Sequence, residues 1–184
     1  MEASRSERRA LYVEKTRSEL ASLSAHGVLT SGNAFSSVLF AKGEPSPEEQ
    51  AGAAVLSGAD GKALRAALAA LGYAPEDWAA FLTVDRNGSP LDAALVRETI
   101  CTLDPSTLIA CDDAAAQALR EAYAEELVAL DDFDAAMLMP GKEVRLLGMR
   151  VMALGGFAAA LGDAGQKQVM WRRLKMLPPL GAPY

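Results

Sequence analysis

The sequence predicts a single α/β domain in which helices cover both faces of a mostly parallel sheet. The chain has 184 residues, a length that suits one domain with a full core. Hydrophobic residues make up 51% of it, which is typical of a globular protein. Short apolar runs alternate along the chain with longer helix-like segments, and this alternation favours parallel strands joined by helices.

The chain begins with a predicted amphipathic helix over residues 6–24, whose polar positions are mostly serine, arginine and glutamate. Its apolar positions are Leu11, Val13, Leu20 and Leu23. We expect residues 1–30 to pack on the core of one domain that spans 1–184. The first residues are charged, without the apolar stretch of a signal peptide, and no apolar run is long enough to cross a membrane. We therefore expect a cytoplasmic protein with no membrane partner.

Short apolar runs, partly β-branched or aromatic, predict the strands, because such runs suit a sheet buried on both faces. The predicted strands are 38–41, 81–84, 106–111, and a last strand or hairpin at 144–147 and 149–154. The sheet therefore has about four strands.

The segments between and after these strands predict helices. The predicted helices are 62–71, 90–101, one from Asp112 or Asp113 to about 127, and 163–177. We expect Asp60 to cap the first of them, which ends at Gly72. Residues 43–61 form a long loop, and such loops are often functional. Residues 128–141 are acidic and irregular, and their pattern leaves open whether they form a lid.

The net charge of −6 is unevenly distributed. Residues 141–184 carry seven basic and two acidic side chains, a net +5, so residues 1–140 carry −11. An acidic protein binds DNA poorly without a cationic surface, although the basic end leaves room for a local one. The basic residues beside Trp171 that we assign to possible phosphate contacts are Lys167, Arg172, Arg173 and Lys175. The alternative is a solvated helix face with Trp171 as a core anchor.

Cysteine and histidine content excludes several kinds of site. Two cysteines and one histidine cannot form a four-cysteine zinc or iron–sulfur site or a multi-histidine metal site, and we predict no cofactor. Cys111 at a strand end is either a nucleophile or a buried structural thiol, and we favour the thiol. Gly61-Lys62 does not complete a phosphate-binding loop, because Leu56 occupies the position of its first glycine.

Candidate site residues follow the predicted strands, because ligands of parallel sheets bind at the carboxyl ends of strands. The candidates are Glu44, Asp85, Asp112, Gly155, Gly156 and Phe157. Glu44 is suited to polarise a water molecule, or else is a solvated carboxylate. Asp112-Asp113 is either a paired carboxylate site or a helix cap, and we favour the cap. We expect Glu48 and Glu49 to be surface charges.

The order of these pieces from about residue 38 to 177 resembles the uracil-DNA glycosylase superfamily, in particular its cluster-containing bacterial branch. The segments that carry the resemblance are Gly43-Glu44-Pro45, 57–61 with the helix after it, 81–83, 104–110 with 114–119, 152–157 and 167–175. The resemblance implies a three-layer α/β sandwich with a short central sheet. It also places Glu44 where many members hold a water-polarising carboxylate.

Departures from the family pattern imply lost catalysis. Gly155-Gly156-Phe157 stands at or next to the family's His-Pro-Ser turn, without an imidazole. No aromatic residue lies at Val55 or Leu56 to stack on a base, and Val84 or Asp85 replaces the asparagine that reads it. The cluster cysteines are absent. We therefore expect a non-catalytic module that binds nucleic acid or protein. The alternative is a divergent glycosylase acting through Glu44. A third alternative is a small-molecule-binding or hydrolytic enzyme that reuses the cleft, but the sequence shows no nucleophile to support it.

Overall fold

A computed structural model of the chain describes residues 5–181. Over this range the chain forms an α/β fold around one mixed sheet. Its strands are β1 (Thr30–Gly32), β2 (Val38–Lys42), β3 (Ala79–Leu82), β4 (Thr107–Ala110), β5 (Val144–Leu146) and β6 (Met149–Ala153). Its helices are α1 (Arg5–Ala25), α2 (Pro47–Gln50), α3 (Ala59–Ala70), α4 (Ala93–Leu103), α5 (Asp113–Ala122), α6 (Ala124–Val128), α7 (Phe133–Ala136), α8 (Phe157–Ala160) and α9 (Ala164–Leu174).

The strand order is β1-β3-β2-β4-β6-β5. The four central strands run parallel, and β1 and β5 pair antiparallel at the two edges. The prediction of about four strands is therefore wrong for the described part of the chain, which has six. The sequence Thr-Ser-Gly of β1 has no apolar run to signal a strand. The hairpin alternative at 144–147 and 149–154 is confirmed, since β5 turns back on β6 through Leu147-Gly148.

Alternate residues of the central strands face opposite sides of the sheet, as strand geometry requires. On one side Leu39, Leu108 and Val151 lie in register within a cluster that includes residues of α4, α5 and α7. On the other side their neighbours Phe40, Ile109 and Met152 meet residues of α3, α8 and α9. Helices thus cover both faces of the sheet, as predicted.

The helix α1 packs on the first of these clusters through Leu20 and Leu23. Leu11 is 68% exposed and Val13 is also exposed, so the apolar positions predicted for the first half of this helix do not reach the core. Tyr12 instead contacts the ring of Phe35, with the ring centroids 5.4 Å apart.

The helix predicted to run to 127 is interrupted at Tyr123, which is buried between α5 and α6. The segment predicted as irregular, 128–141, contains α7, and its residues Ala135 and Leu138 pack in the cluster on the α4 and α5 side. It therefore contributes to the core on one side of the sheet, and its residues do not line the strand-end cavities described below.

Candidate functional site

The carboxyl ends of β2, β4 and β6 meet at one end of the sheet, and the chain continues there into three loops. Lys42 ends β2, Asp112 follows β4, and Gly156 follows β6. The side chains and backbone of these segments line an enclosed cavity and, beside it, an open cleft. This is the edge at which parallel sheets bind ligands, so it is the candidate site.

A buried lysine with two carboxylate partners lies at this edge. Lys42 is 3% exposed, and its Nζ donates hydrogen bonds to Glu49 Oε2 at 2.6 Å and to Asp60 Oδ2 at 2.7 Å. Glu49 is 2% exposed. Burial alone lowers the pKa of Lys42, but the hydrogen bonds and charges of Asp60 and Glu49 outweigh it and leave the pKa above its ordinary value. Lys42 is therefore held as a cation.

Glu49 also organises the long loop after β2. Its Oε2 accepts from the backbone N–H of Ser46 and its Oε1 from that of Leu56, each at 2.7 Å. The Ser46 hydroxyl accepts from the N–H of Glu49, so the two residues form a capping box at α2. The expectation that Glu49 is a surface charge is wrong, because its carboxylate closes the loop around Lys42.

Asp112 ties β2 to α5. Its carboxylate accepts from the backbone N–H groups of Gly43 at 3.0 Å, Glu44 at 3.0 Å and Ala115 at 2.8 Å. The bond to Ala115 caps α5, so the cap interpretation is confirmed. Because each of these bonds goes to a fixed backbone donor, Asp112 positions the chain at Glu44.

The enclosed cavity has a volume of about 40 Å³. Lys42, Asp60, Cys111, Asp112 and Phe157 are among the residues that line it. A ligand pocket for a small molecule usually encloses roughly 300–1,000 Å³, so this cavity has room for only about three water molecules.

The open cleft outside it has a volume of about 470 Å³. Glu44 is exposed and lines both spaces, and Glu48 and Asp60 also line the cleft. Hydrogen bonds to backbone and to the Ser46 hydroxyl lower the pKa of Glu48. Among the residues of 5–181 that line this cleft, Lys42 is the only cation, and its ammonium group is already bonded to Glu49 and Asp60. The remaining charges of the cleft surface are therefore acidic.

The turn after β6 brings Gly155, Gly156 and Phe157 to the site. Gly156 has φ +84° and lines the enclosed cavity. Phe157 is buried and its N–H donates to the carbonyl of Cys111 at 2.8 Å. Gly155 has φ +73° and packs so tightly that a Cβ would lie 2.9 Å from Pro140 Cγ. This turn thus presents the Phe157 side chain and backbone to the cavity.

Asp85 does not join the cleft, contrary to the expectation. Strand β3 ends at Leu82, and Val84 forms a bridge with Pro90. Asp85 Oδ1 accepts from the N–H groups of Asn87 at 2.8 Å and Ser89 at 2.9 Å. The carboxylate therefore closes a local turn beyond the strand end.

The basic residues of α9 separate into two groups. Arg173 donates from Nη1 to the carbonyl of Leu154, which fixes it against the turn after β6. Lys167, Arg172 and Lys175 are exposed. Trp171 is 36% exposed, and Lys175 Nζ lies 5.8 Å from its ring centroid, so Trp171 is not the core anchor that its position suggested.

The buried thiol interpretation of Cys111 is confirmed. Cys111 is 5% exposed. Burial, with the nearby Asp112 charge, raises the pKa of the thiol well above its ordinary value. A protonated, enclosed thiol is a poor nucleophile. Both cysteines, Cys101 and Cys111, are free, and Cys101 is exposed.

Sequence reasoning missed Lys42 and misplaced Asp60. The predicted cap role of Asp60 is wrong: α3 begins at Ala59 with Gly58 at its N-cap, and Asp60 in the first turn pairs with Lys42. One signal was available, because Lys42 directly continues the apolar run of β2, and a charge at the end of a buried strand needs a partner.

Within residues 5–181, no cluster of three or more histidine, cysteine or acidic side chains is arranged to hold a metal ion. None of the helices in this range is long and apolar enough to span a membrane. No protein-family model and no curated protein matches the sequence.

Proposed function

We propose that this chain is a non-catalytic, protein-binding domain built on a uracil-DNA-glycosylase-like scaffold. The order of the sequence segments supports the scaffold, and so does the parallel arrangement of β3, β2, β4 and β6 with helices on both faces. One observation carries the loss of catalysis: the enclosed cavity at the strand ends measures about 40 Å³.

Excision of a base requires that the base leave the stack and enter a fitted pocket. A cavity of about 40 Å³ is several times too small for a ligand of this kind. Lys42 and Asp60 form part of its wall as a buried ion pair, and parting such a pair costs about 3–5 kcal/mol. The ion pair therefore opposes enlargement of the cavity on the side of Lys42 and Asp60.

The charge of the open cleft favours a protein partner over DNA. Glu44, Glu48 and Asp60 line it, whereas its one lysine is paired with Asp60 and Glu49. DNA binding depends on unpaired cations that neutralise phosphates. Exposed apolar side chains lie elsewhere on the surface, among them Phe133 and Trp171, and such side chains are common at protein interfaces.

A divergent glycosylase is the second candidate, and one observation favours it. The carboxylate of Glu44 is exposed in a cleft of about 470 Å³, on a backbone that Asp112 holds in place. A carboxylate so placed is suited to polarise an attacking water molecule. This function requires that a damaged base bind in the open cleft rather than in the enclosed cavity.

Incubation with uracil- and hypoxanthine-containing oligonucleotides separates the two candidates. We expect no release of free base by the wild-type chain. Release that is lost in Glu44→Gln and kept in the neighbouring Glu48→Gln would overturn the non-catalytic proposal and support the glycosylase.

Binding of single- and double-stranded DNA tests the choice of partner class. We expect no binding even at about 50 mM salt, where phosphate contacts are strong. Binding that weakens with salt and is lost in Arg172→Glu would replace the protein partner with nucleic acid.

A further inference from the structure

An apolar groove lies between α3, α8 and α9, outside the strand-end cleft. Its volume is about 320 Å³, and its lining is mostly aliphatic and aromatic. Because positive side chains border this apolar groove, we call it the basic groove. It consists of Ala63, Ala67, Leu161, Lys167 and Trp171, together with Lys175, which lies over the Trp171 ring. Trp171 and Lys167 are exposed, so the groove is open to a partner.

The groove is bordered by unpaired positive charge. Residues 164–175 contain Lys167, Arg172, Arg173 and Lys175 and no acidic residue. Arg173 is bound to the carbonyl of Leu154, whereas the other three form no ion pair with any residue in 5–181. A partner that brings carboxylates to this border would neutralise it.

A second surface on the same chain has the complementary character. The acidic strip consists of Glu125, Val128, Asp131, Phe133, Asp134 and Met137 on and between α6 and α7. Val128 is 83% exposed and Phe133 is 73% exposed, which is unusual for such apolar side chains within six residues. Glu125, Asp131 and Asp134 have no ion-pair partner among the described residues.

The cations that border the strip are already engaged. Arg120 donates to the Met137 carbonyl and to Gln117, and Lys142 pairs with Asp132 at 2.6 Å. They leave the outward carboxylates of the strip unneutralised. The strip therefore combines exposed apolar side chains with free negative charge.

We propose that the acidic strip of one copy docks into the basic groove of a second copy. Phe133 supplies a large apolar side chain for the groove, and aromatic anchors in apolar pockets carry much of the energy of protein interfaces. Asp131 and Asp134 flank this side chain and face Lys167 and Lys175 in the contact. The contact stands whether or not the cleft is catalytic, because it uses neither Glu44 nor Asp112.

The groove favours this occupant over a nucleobase. Among the described residues that line its apolar interior, Lys167 is the only charged one, and Lys175 lies at the border. A base would bury its polar edge there with few hydrogen-bond partners, since Lys167 and the Trp171 indole are the polar side chains of the lining, and such burial is unfavourable. A phenylalanine ring has no such edge.

Sedimentation of the purified chain at about 50 mM and about 500 mM salt tests the contact. The groove variant is K167E/K175E and the strip variant is D131K/D134K. The matched control, K15E/R17E, changes two exposed residues of α1 that lie in neither surface. Thermal unfolding of each variant shows whether the fold is intact.

We expect the wild type and the control to self-associate at low salt, and less so at high salt. Each surface variant should weaken association at least about tenfold, and an equimolar mixture of the two should restore it, since each supplies the surface that the other lacks. A wild type that stays monomeric at about 100 µM, association that persists in both variants, or a mixture that stays monomeric would overturn the proposal.

Discussion

The ammonium group of Lys42 lies 2.7 Å from the carboxylate of Asp60 at the end of a fully buried strand. Glu49 completes the arrangement from the loop that follows. Lys42 belongs to β2, Glu49 to α2 and Asp60 to α3, so the contacts of the ammonium group with the two carboxylates hold these three elements together. Lys42 and Asp60 also line the enclosed cavity and the open cleft at the strand ends.

Replacing Lys42 with methionine should destabilise the protein by about 3–5 kcal/mol, because two carboxylates would remain buried without a cation. Urea unfolding measures the change. Lys62→Met removes an exposed lysine from α3 and should change the stability little. Equal stability of the two variants would show that the ion triad is not held as described.

Asp112 and the adjacent Asp113 provide a second matched pair. Asp112→Ala removes the acceptor for the N–H groups of Gly43, Glu44 and Ala115, and should cost about 2–4 kcal/mol. Asp112→Asn keeps one acceptor oxygen and should cost less. Thermal unfolding measures the stability of all three variants. Asp113→Ala alters an exposed side chain and should have a small effect. A cost for Asp113→Ala as large as that for Asp112→Ala would contradict these contacts.

Gly61 is required by a close approach between α3 and the preceding loop. A Cβ at this position would lie 1.7 Å from the carbonyl oxygen of Leu56, so Gly61→Ala must push the helix and loop apart. We expect a loss of about 3 kcal/mol or more in stability. Gly162→Ala is the control, since its Cβ would meet Ala159 O at 3.8 Å in ordinary contact. If denaturant midpoints of the two variants agree, this packing is not present.

Tyr123 should titrate later than an exposed tyrosine. Burial, with the nearby Cys101, raises the pKa of its phenol to about 12, although Arg97 over the ring opposes the shift. The folded state then keeps a proton that the unfolded state loses above pH 10.0, so this group lowers stability as pH rises from 10.0 to about 12.

A spectrophotometric titration of the wild type minus that of Tyr123→Phe isolates this phenol. The difference should show one transition near pH 12, and Tyr123→Phe should lose less stability than the wild type over that interval. A difference curve centred at pH 10.0 would place Tyr123 in contact with solvent.

Local patterns predicted the elements that residue type and spacing within one segment identify. The apolar runs of β2 and β4, the cap at Asp112 and the buried thiol at Cys111 all follow from short segments of sequence. The edge strand β1 was missed because Thr-Ser-Gly joins the sheet only by pairing with β3, some fifty residues away.

By itself the sequence determined the alternation of strands and helices, the two apolar faces of the sheet and the acidic balance of residues 1–140, because these depend on residue type and spacing. Only the tertiary structure decided which charges are buried together and which stay in solvent. Glu48 and Glu49 are adjacent and chemically alike, yet one is exposed and the other meets Lys42. Lys42 and Leu56 each lie seven residues from Glu49, but only the folded loop brings their groups to its carboxylate, and spacing along the chain does not encode that geometry.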